Sequence, residues 1–131
     1  MKGILLASHG PLAQGMLETT KLFFGEQRLM DAKCLNPEDN PDDFVNVLDE
    51  AIGQLDEGEG VIVFVDLLFG SPCNCMTRIL KDNVEVITGM NLSMILELLG
   101  SRECTNPEVS YLCQTGKDGI ANLKEVLSTV E

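Results

Sequence analysis

The chain alternates short, unbroken apolar runs with longer segments of helical spacing, and this alternation limits the possible folds more than any other feature. The runs are Gly3 to Ala7, a weaker one from Leu29 to Leu35, Val61 to Val65, Val84 to Thr88, and Val109 to Cys113. Runs without polar interruption suit strands covered on both faces. The segments between them, Leu12 to Phe24, Phe44 to Leu55, Pro72 to Leu80, Leu92 to Leu99 and Ile120 to Val130, are amphipathic at helical period. In the second of these, Phe44, Val47, Leu48, Ala51, Ile52 and Leu55 form one stripe. Parallel neighbours in a sheet need a crossover, and the usual crossover is a helix. The expected fold is a three-layer, doubly wound α/β domain with a mostly parallel sheet of order 2-1-3-4 and a fifth strand. No linker, repeat or low-complexity tract interrupts the pattern, so residues 1–131 read as a single domain.

Punctuation fits this reading. Gly25 and Gly100 stand where helix ends call for a left-handed residue, and Ser71-Pro72 and Asn91 read as helix starts, with Ser71 as the capping residue. The charge balance, 9 Lys and Arg against 21 Asp and Glu, gives a net charge of −12. That sign disfavours nucleic acid and anionic membrane surfaces, because both are bound through clustered cations. No apolar stretch near the start is long enough for a signal-peptide core or a membrane span, so a cytoplasmic location is expected. Five cysteines, an odd number without framework spacing, read as reduced thiols of a cytosolic protein, with Cys73, Cys75, Cys104 and Cys113 as buried, inert ones.

Ligands of open α/β sheets bind beyond the carboxyl ends of the strands, where the strand order reverses. In the order 2-1-3-4 that point lies between the first and third strands, so the loops Ser8-His9-Gly10-Pro11 and Asp66 to Pro72 are expected to meet there. Between Cys34 and Thr77 there is no Lys or Arg, and most of the acidic residues in that stretch belong to a solvated helix face. Asp66 differs, since it directly follows five residues of buried type. His9, the only histidine of the chain, ends a buried run and precedes Gly10, which lets a backbone approach a ligand. Imidazole titrates near neutrality and serves as a neutral nucleophile. A carboxylate at Asp66 would keep one ring nitrogen protonated and leave the other free. Gly70 and Ser71 open the following helix, whose amides and positive dipole end suit a phosphate.

Competing chemistries lack their residues. The chain has no Gly-x-x-x-x-Gly-Lys-Ser/Thr loop and no Gly-x-Gly-x-x-Gly after its first strand. Cys73-x-Cys75 with Cys104 and Cys113 lacks the paired Cys-x-x-Cys spacing of a zinc site, so no metal is expected.

Four segments in register, Gly3 to Gly10, Phe24-Gly25-Glu26-Gln27, Asp66 to Asn74, and Thr88 to Leu92, resemble the IIA component of the mannose/fructose/sorbose branch of the bacterial phosphoenolpyruvate-dependent sugar phosphotransferase system. The resemblance runs over nearly the whole chain. It implies a phosphoryl carrier that accepts a phosphoryl group from the carrier protein HPr on His9. The carrier then donates it to a IIB subunit, which serves sugar uptake through the membrane IIC and IID subunits. Asp66 matches the family aspartate that orients the imidazole, and Ser71 matches a hydroxyl beside the phosphoryl group. No cofactor or metal is implied, and a free-standing IIA polypeptide is expected.

The resemblance also implies a homodimer in which the fifth strand, Val109 to Cys113, crosses to the partner and pairs antiparallel there. The polar stretch from Ser101 to Glu108 would then be its extended arm. The sequence departs from the family loop at Phe69, which stands in place of the first of two glycines, and at Leu67, where some members carry Thr. The alternative readings are a non-catalytic regulatory or ligand-binding module on the same fold, and the phosphoryl donor component of a dihydroxyacetone kinase.

Overall fold

The computed structural model describes residues 1–129. Four strands, β1 (Gly3–His9), β2 (Met30–Leu35), β3 (Val61–Val65) and β4 (Val84–Ile87), form one parallel sheet in the order β2-β1-β3-β4. The connecting helices are α1 (Leu12–Phe24), α2 (Pro41–Leu55), α3 (Ser71–Thr77) and α4 (Leu92–Ser101), followed by α5 (Val109–Asp118) and α6 (Leu123–Ser128). The expected doubly wound α/β architecture and strand order are therefore present.

Successive strand residues point to opposite faces, and the two faces build two cores. Leu5, Ala7, Val61, Val63 and Val65 pack with Phe44, Leu48, Ile52 and Leu55 of α2 and with Cys73 and Met76 of α3. Ile4, Leu6, Ile62 and Phe64 pack on the other face with Ala13 of α1, Met94, Ile95 and Leu98 of α4, and Leu112 of α5. Burial on both sides explains why β1 and β3 are apolar at every position from Gly3 to Ala7 and from Val61 to Val65. At the amino end of the sheet, the buried Arg102 guanidinium donates to the carbonyls of Lys2 and Arg28, each at 2.8 Å, and ties the entries of β1 and β2 together.

The fifth strand is corrected. Val109 to Cys113 form the first turns of α5, whose half-buried or buried residues Val109, Leu112, Cys113 and Gly116 follow the i, i+3, i+4, i+7 spacing of a helix. Gly116 lies so close to α4 that a Cβ there would meet Met94 Cε at 2.5 Å. With helix in this place there is no strand to exchange, and the strand-exchanged homodimer loses the element on which it rested.

Smaller boundaries also move. Gly25 has φ +70 at the end of α1 as expected, whereas Gly100 lies inside α4 with no positive φ. The N-cap of α3 is Gly70, so Ser71 and Pro72 are its first two helical residues, one position later than expected. Asn91 does cap α4, its Oδ1 accepting from the Met94 amide at 3.1 Å. Helix α2 starts three residues before its apolar stripe, because Asn40 caps it and Pro41 supplies a preset φ. The last helix begins at Leu123, and the expected end at Val130 lies outside the described residues.

Candidate functional site

β1 and β3 run side by side with Ala7 opposite Val65, and β1 continues two residues further to His9 along β2. The end of β1 therefore lies beside the first residue after β3, which brings His9 and Asp66 into contact. Asp66 Oδ2 accepts two hydrogen bonds from His9, one from the ring Nδ1 at 2.8 Å and one from the backbone amide at 2.9 Å. Its other oxygen accepts from the Leu67 amide at 2.9 Å.

Three donors converge on a side chain that is only 10% exposed. Burial alone would push the Asp66 carboxyl up, but the His9 amide, the His9 ring and the Leu67 amide together outweigh it and hold the carboxyl below its ordinary value. An ionised carboxylate only accepts, so Nδ1 carries the proton in this contact. In a neutral ring so held the lone pair lies on Nε2, and the His9 side chain remains 44% exposed. The arrangement fixes one ring nitrogen on Asp66 while the side chain stays open to solvent.

Two neighbouring supports keep the β1–α1 turn in place. Ser8 is fully buried, and its Oγ accepts from the Ala13 amide at 2.7 Å while donating to the Gly10 carbonyl at 3.1 Å. It thereby satisfies an orphan donor in the first turn of α1, where Pro11 has no side-chain cap to offer. The Gly10 amide donates to Leu35 O at 2.8 Å, and Gly10 takes φ +55, which glycine adopts without a Cβ clash. The sequence signal for Ser8 was present, a hydroxyl closing an apolar strand just before a helix, but its acceptor partner is set by how the turn folds back.

The β3–α3 loop closes the site from the other side. Gly70 is a steric requirement, since a Cβ there would lie 2.7 Å from His9 Cε1 and 3.2 Å from Leu67 Cβ. The Gly70 amide donates to Leu67 O at 3.1 Å, closing a turn in which Phe69 has φ +65. A bulky residue in this region is strained by about 1–2 kcal/mol. The Asn74 side chain holds the strained turn by donating to Phe69 O at 3.0 Å. Sequence reasoning missed both the steric role of Gly70 and the reach of Asn74.

Ser71 lines one cleft with His9 and Gly10, of about 400 Å³, whose far wall is Leu35, Asn36, Pro37, Asp39 and Pro41. A second groove beside His9 is lined by Pro11, Leu12, Gly15, Met16 and Thr19 of α1 and its entry. The structure thus brings together all five residues singled out, His9, Asp66, Gly10, Gly70 and Ser71. Asn91, whose side chain caps α4 and donates to Gly116 O at 3.2 Å, has a structural role.

No group of three or more His, Cys, Asp or Glu that could hold a metal ion occurs among the described residues. Of the five free thiols, Cys73 and Cys75 are buried, Cys34 and Cys113 are half-buried, and Cys104 is exposed. Of the four thiols expected to be buried, Cys73 and Cys75 are, Cys113 is only half-buried, and Cys104, in the polar stretch after α4, is exposed and corrects the expectation.

The fold and the site define a doubly wound α/β protein with a single carboxylate-held histidine at the topological switch point of its sheet. The family model described as "PTS system fructose IIA component" matches residues 3–111. The chain belongs to this mannose-type IIA family of the sugar phosphotransferase system, and so to a class of phosphotransfer proteins. It is 32% identical over 127 residues to the mannose-specific EIIAB component of Escherichia coli (strain K12), an alignment that covers 92% of this chain and 39% of that protein. The chain therefore spans about two fifths of the length of that relative.

The sorbose-specific EIIA component of Klebsiella pneumoniae is 30% identical, with 84% of this chain and 80% of that one covered. Among solved structures, the PTS IIA protein associated with the fucose utilization operon of Streptococcus pneumoniae superposes with a TM-score of 0.89 at 32% identity, covering 96% of both chains.

Proposed function

We propose that residues 1–131 are one IIA domain whose His9 carries a phosphoryl group between two proteins of a sugar phosphotransferase system. The observation that carries this reading is the double hydrogen bond from His9 to one oxygen of Asp66, which turns Nδ1 toward the carboxylate on a side chain that stays 44% exposed. A nucleophile must present a lone pair and must not have to lose a proton during attack. The neutral tautomer of His9 meets both needs.

In the proposed forward step, the Nε2 lone pair attacks phosphorus of a phosphohistidine on HPr, forming the new N–P bond. The donor's N–P bond breaks, and its electron pair returns to the donor imidazole. His9 is then a cation carrying a proton on Nδ1 and phosphorus on Nε2, and the Asp66 carboxylate stabilises that charge. Transfer onward to a IIB partner is the reverse step with a different acceptor. The cleft shared by His9, Gly10 and Ser71 takes the phosphoryl oxygens, with Gly70 keeping the ring and the loop in close register. No intermediate requires a cofactor in this scheme, because phosphoryl transfer is dominated by positioning and charge stabilisation.

Among the described residues no helix is long and apolar enough to cross a membrane. That accords with a proposed site of action in the cytoplasm, where membrane IIC and IID subunits are reached only through IIB. Incubation with phosphoenolpyruvate, enzyme I and HPr should add one acid-labile phosphoryl group, seen by intact mass spectrometry. The gain should vanish in His9→Ala. A gain that survives this substitution, or none in the unmodified chain, overturns the reading.

A further inference from the structure

The His9 imidazole is held at two points by different means. Asp66 takes Nδ1 at 2.8 Å, and the Gly70 backbone stands against Cε1, the carbon between the two ring nitrogens, where a Cβ would come within 2.7 Å. One contact draws the ring toward the carboxylate, and the other stops it from turning away. The first rests on a charge at a strand end. The second is only as firm as the loop that carries Gly70.

Burial does not anchor that loop, since Leu67, Leu68 and Phe69 are all exposed. Phe69 has φ +65, a conformation that a bulky residue leaves once it is released. Leu29, with φ +54, is fixed differently: it packs on the core, and its carbonyl accepts from the Ile4 amide at 2.9 Å and from buried Arg102 at 3.2 Å. Polar contacts alone hold the Phe69 turn. Leu67 O accepts from the Gly70 amide at 3.1 Å, Gly70 O from the Asn74 amide at 2.9 Å, and Phe69 O from the Asn74 side chain at 3.0 Å. Apart from Asp66, Asn74 has the only side chain that hydrogen-bonds residues 67–70 among the described residues.

Asn74 is exposed and sits inside α3, where asparagine is a poor helix former and alanine would serve the helix better. It lines neither cleft beside His9. We propose that Asn74 is a positioning residue for phosphoryl transfer: by clamping Phe69 O it keeps the left-handed turn closed and Gly70 against Cε1, and so holds the attacking ring nitrogen in line. This inference rests on the phosphotransfer reading above. Strain kept beside a functional site serves such pre-organisation, and a reacting group displaced by about an ångström loses rate rather than binding.

The test uses the full chain as parent, Asn74→Ala, Phe69→Gly and the double variant, charged in rapid-quench single turnovers by phosphorylated HPr and, separately, by the small donor phosphoramidate. Asn74→Ala should lower the maximal rate about tenfold with either donor, while the half-saturating concentration of phospho-HPr stays within about twofold of the parent. The His9 ring resonances in NMR should shift or broaden, and Tm should stay within a few degrees of the parent. Glycine adopts the left-handed turn without a clamp, so in the Phe69→Gly background the same Asn74→Ala change should cost less than about twofold. A role in helix stability alone would produce neither the ring signal nor this rescue.

A parent chain that phospho-HPr cannot charge at His9 overturns the phosphotransfer reading itself. With the parent charged normally, a parent-like rate and unchanged ring resonances in Asn74→Ala overturn only the positioning role. So does an equal loss in the Phe69→Gly background, or a defect seen with phospho-HPr but not with phosphoramidate. A rate loss matched by loss of folded chain in circular dichroism overturns it too, because Asn74 would then act on stability alone.

Discussion

One oxygen of Asp66 holds both the backbone amide and the ring Nδ1 of His9, at 2.9 and 2.8 Å. The amide contact sets where the strand end lies, and the ring contact sets which way the imidazole faces. A single acceptor thereby couples the backbone of β1 to the tautomer of its last residue. Asp66→Asn keeps an oxygen for one of these donors but removes the negative charge. Phosphoryl transfer to His9 should slow by about a hundredfold or more, in line with losing an orienting carboxylate, while the circular dichroism spectrum is retained. Rapid-quench single turnovers at the parent rate would show that Asp66 is only structural.

Acid should act through the same carboxylate. Its folded value lies below the ordinary one, so the ionised form is what the native state binds. The stability it contributes is fully present above the unfolded value of about 3.9 and is lost as pH falls through the lower folded value. Urea unfolding at pH 6 should separate the parent from Asp66→Asn. The gap should narrow below about pH 4 and nearly close once Asp66 is protonated in both folded and unfolded chains. A gap that is constant down to pH 2 would contradict the ionised contact.

Gly70→Ala tests the steric contact with the ring. The new methyl would sit 2.7 Å from His9 Cε1, inside van der Waals contact, and the neighbouring backbone of Leu67 leaves it no retreat. The imidazole must rotate or the loop must lift. Transfer to His9 should fall about tenfold or more, since small misplacements of a reacting group are expensive, whereas global stability should change by about 1–3 kcal/mol. The His9 ring resonances in NMR should shift as well. Unchanged kinetics and unchanged ring resonances would show that the loop yields freely.

Ser8→Ala removes the hydroxyl that caps α1 from within the core. It leaves the buried Ala13 amide without its 2.7 Å acceptor, and an orphaned buried donor costs about 1–3 kcal/mol. The amide of Ala13 should exchange with deuterium markedly faster than in the parent. Ring contacts between His9 and Asp66 should survive, because Asp66 is anchored independently by Leu67. Stability within about 0.3 kcal/mol of the parent would mean that water replaces the hydroxyl.

The order of elements up to α4, the parallel sheet and the meeting of His9 with Asp66 were legible in the sequence. Their causes are local and periodic: β1 and β3 are apolar without interruption because both of their faces are buried, and chain order then forces crossovers of one hand. Once strand one lies beside strand three, the end of the first and the residue after the third must be neighbours. The tertiary structure decided what depends on partners distant in sequence.

Val109 to Cys113 reads as a strand by its apolar, β-branched start, yet α4 offers it a groove that Leu112 and Gly116 fill at helical spacing, and packing outweighs the short-range preference. Nothing near Gly70 in the sequence shows that a Cβ would strike a ring contributed by β1, sixty-one positions earlier. Nor does the composition of the loop reveal that Phe69 is strained and bare, because backbone angles and exposure exist only once the turn is closed by Leu67, Gly70 and Asn74. Periodicity determines which residues are buried, and only the folded chain determines which of them touch.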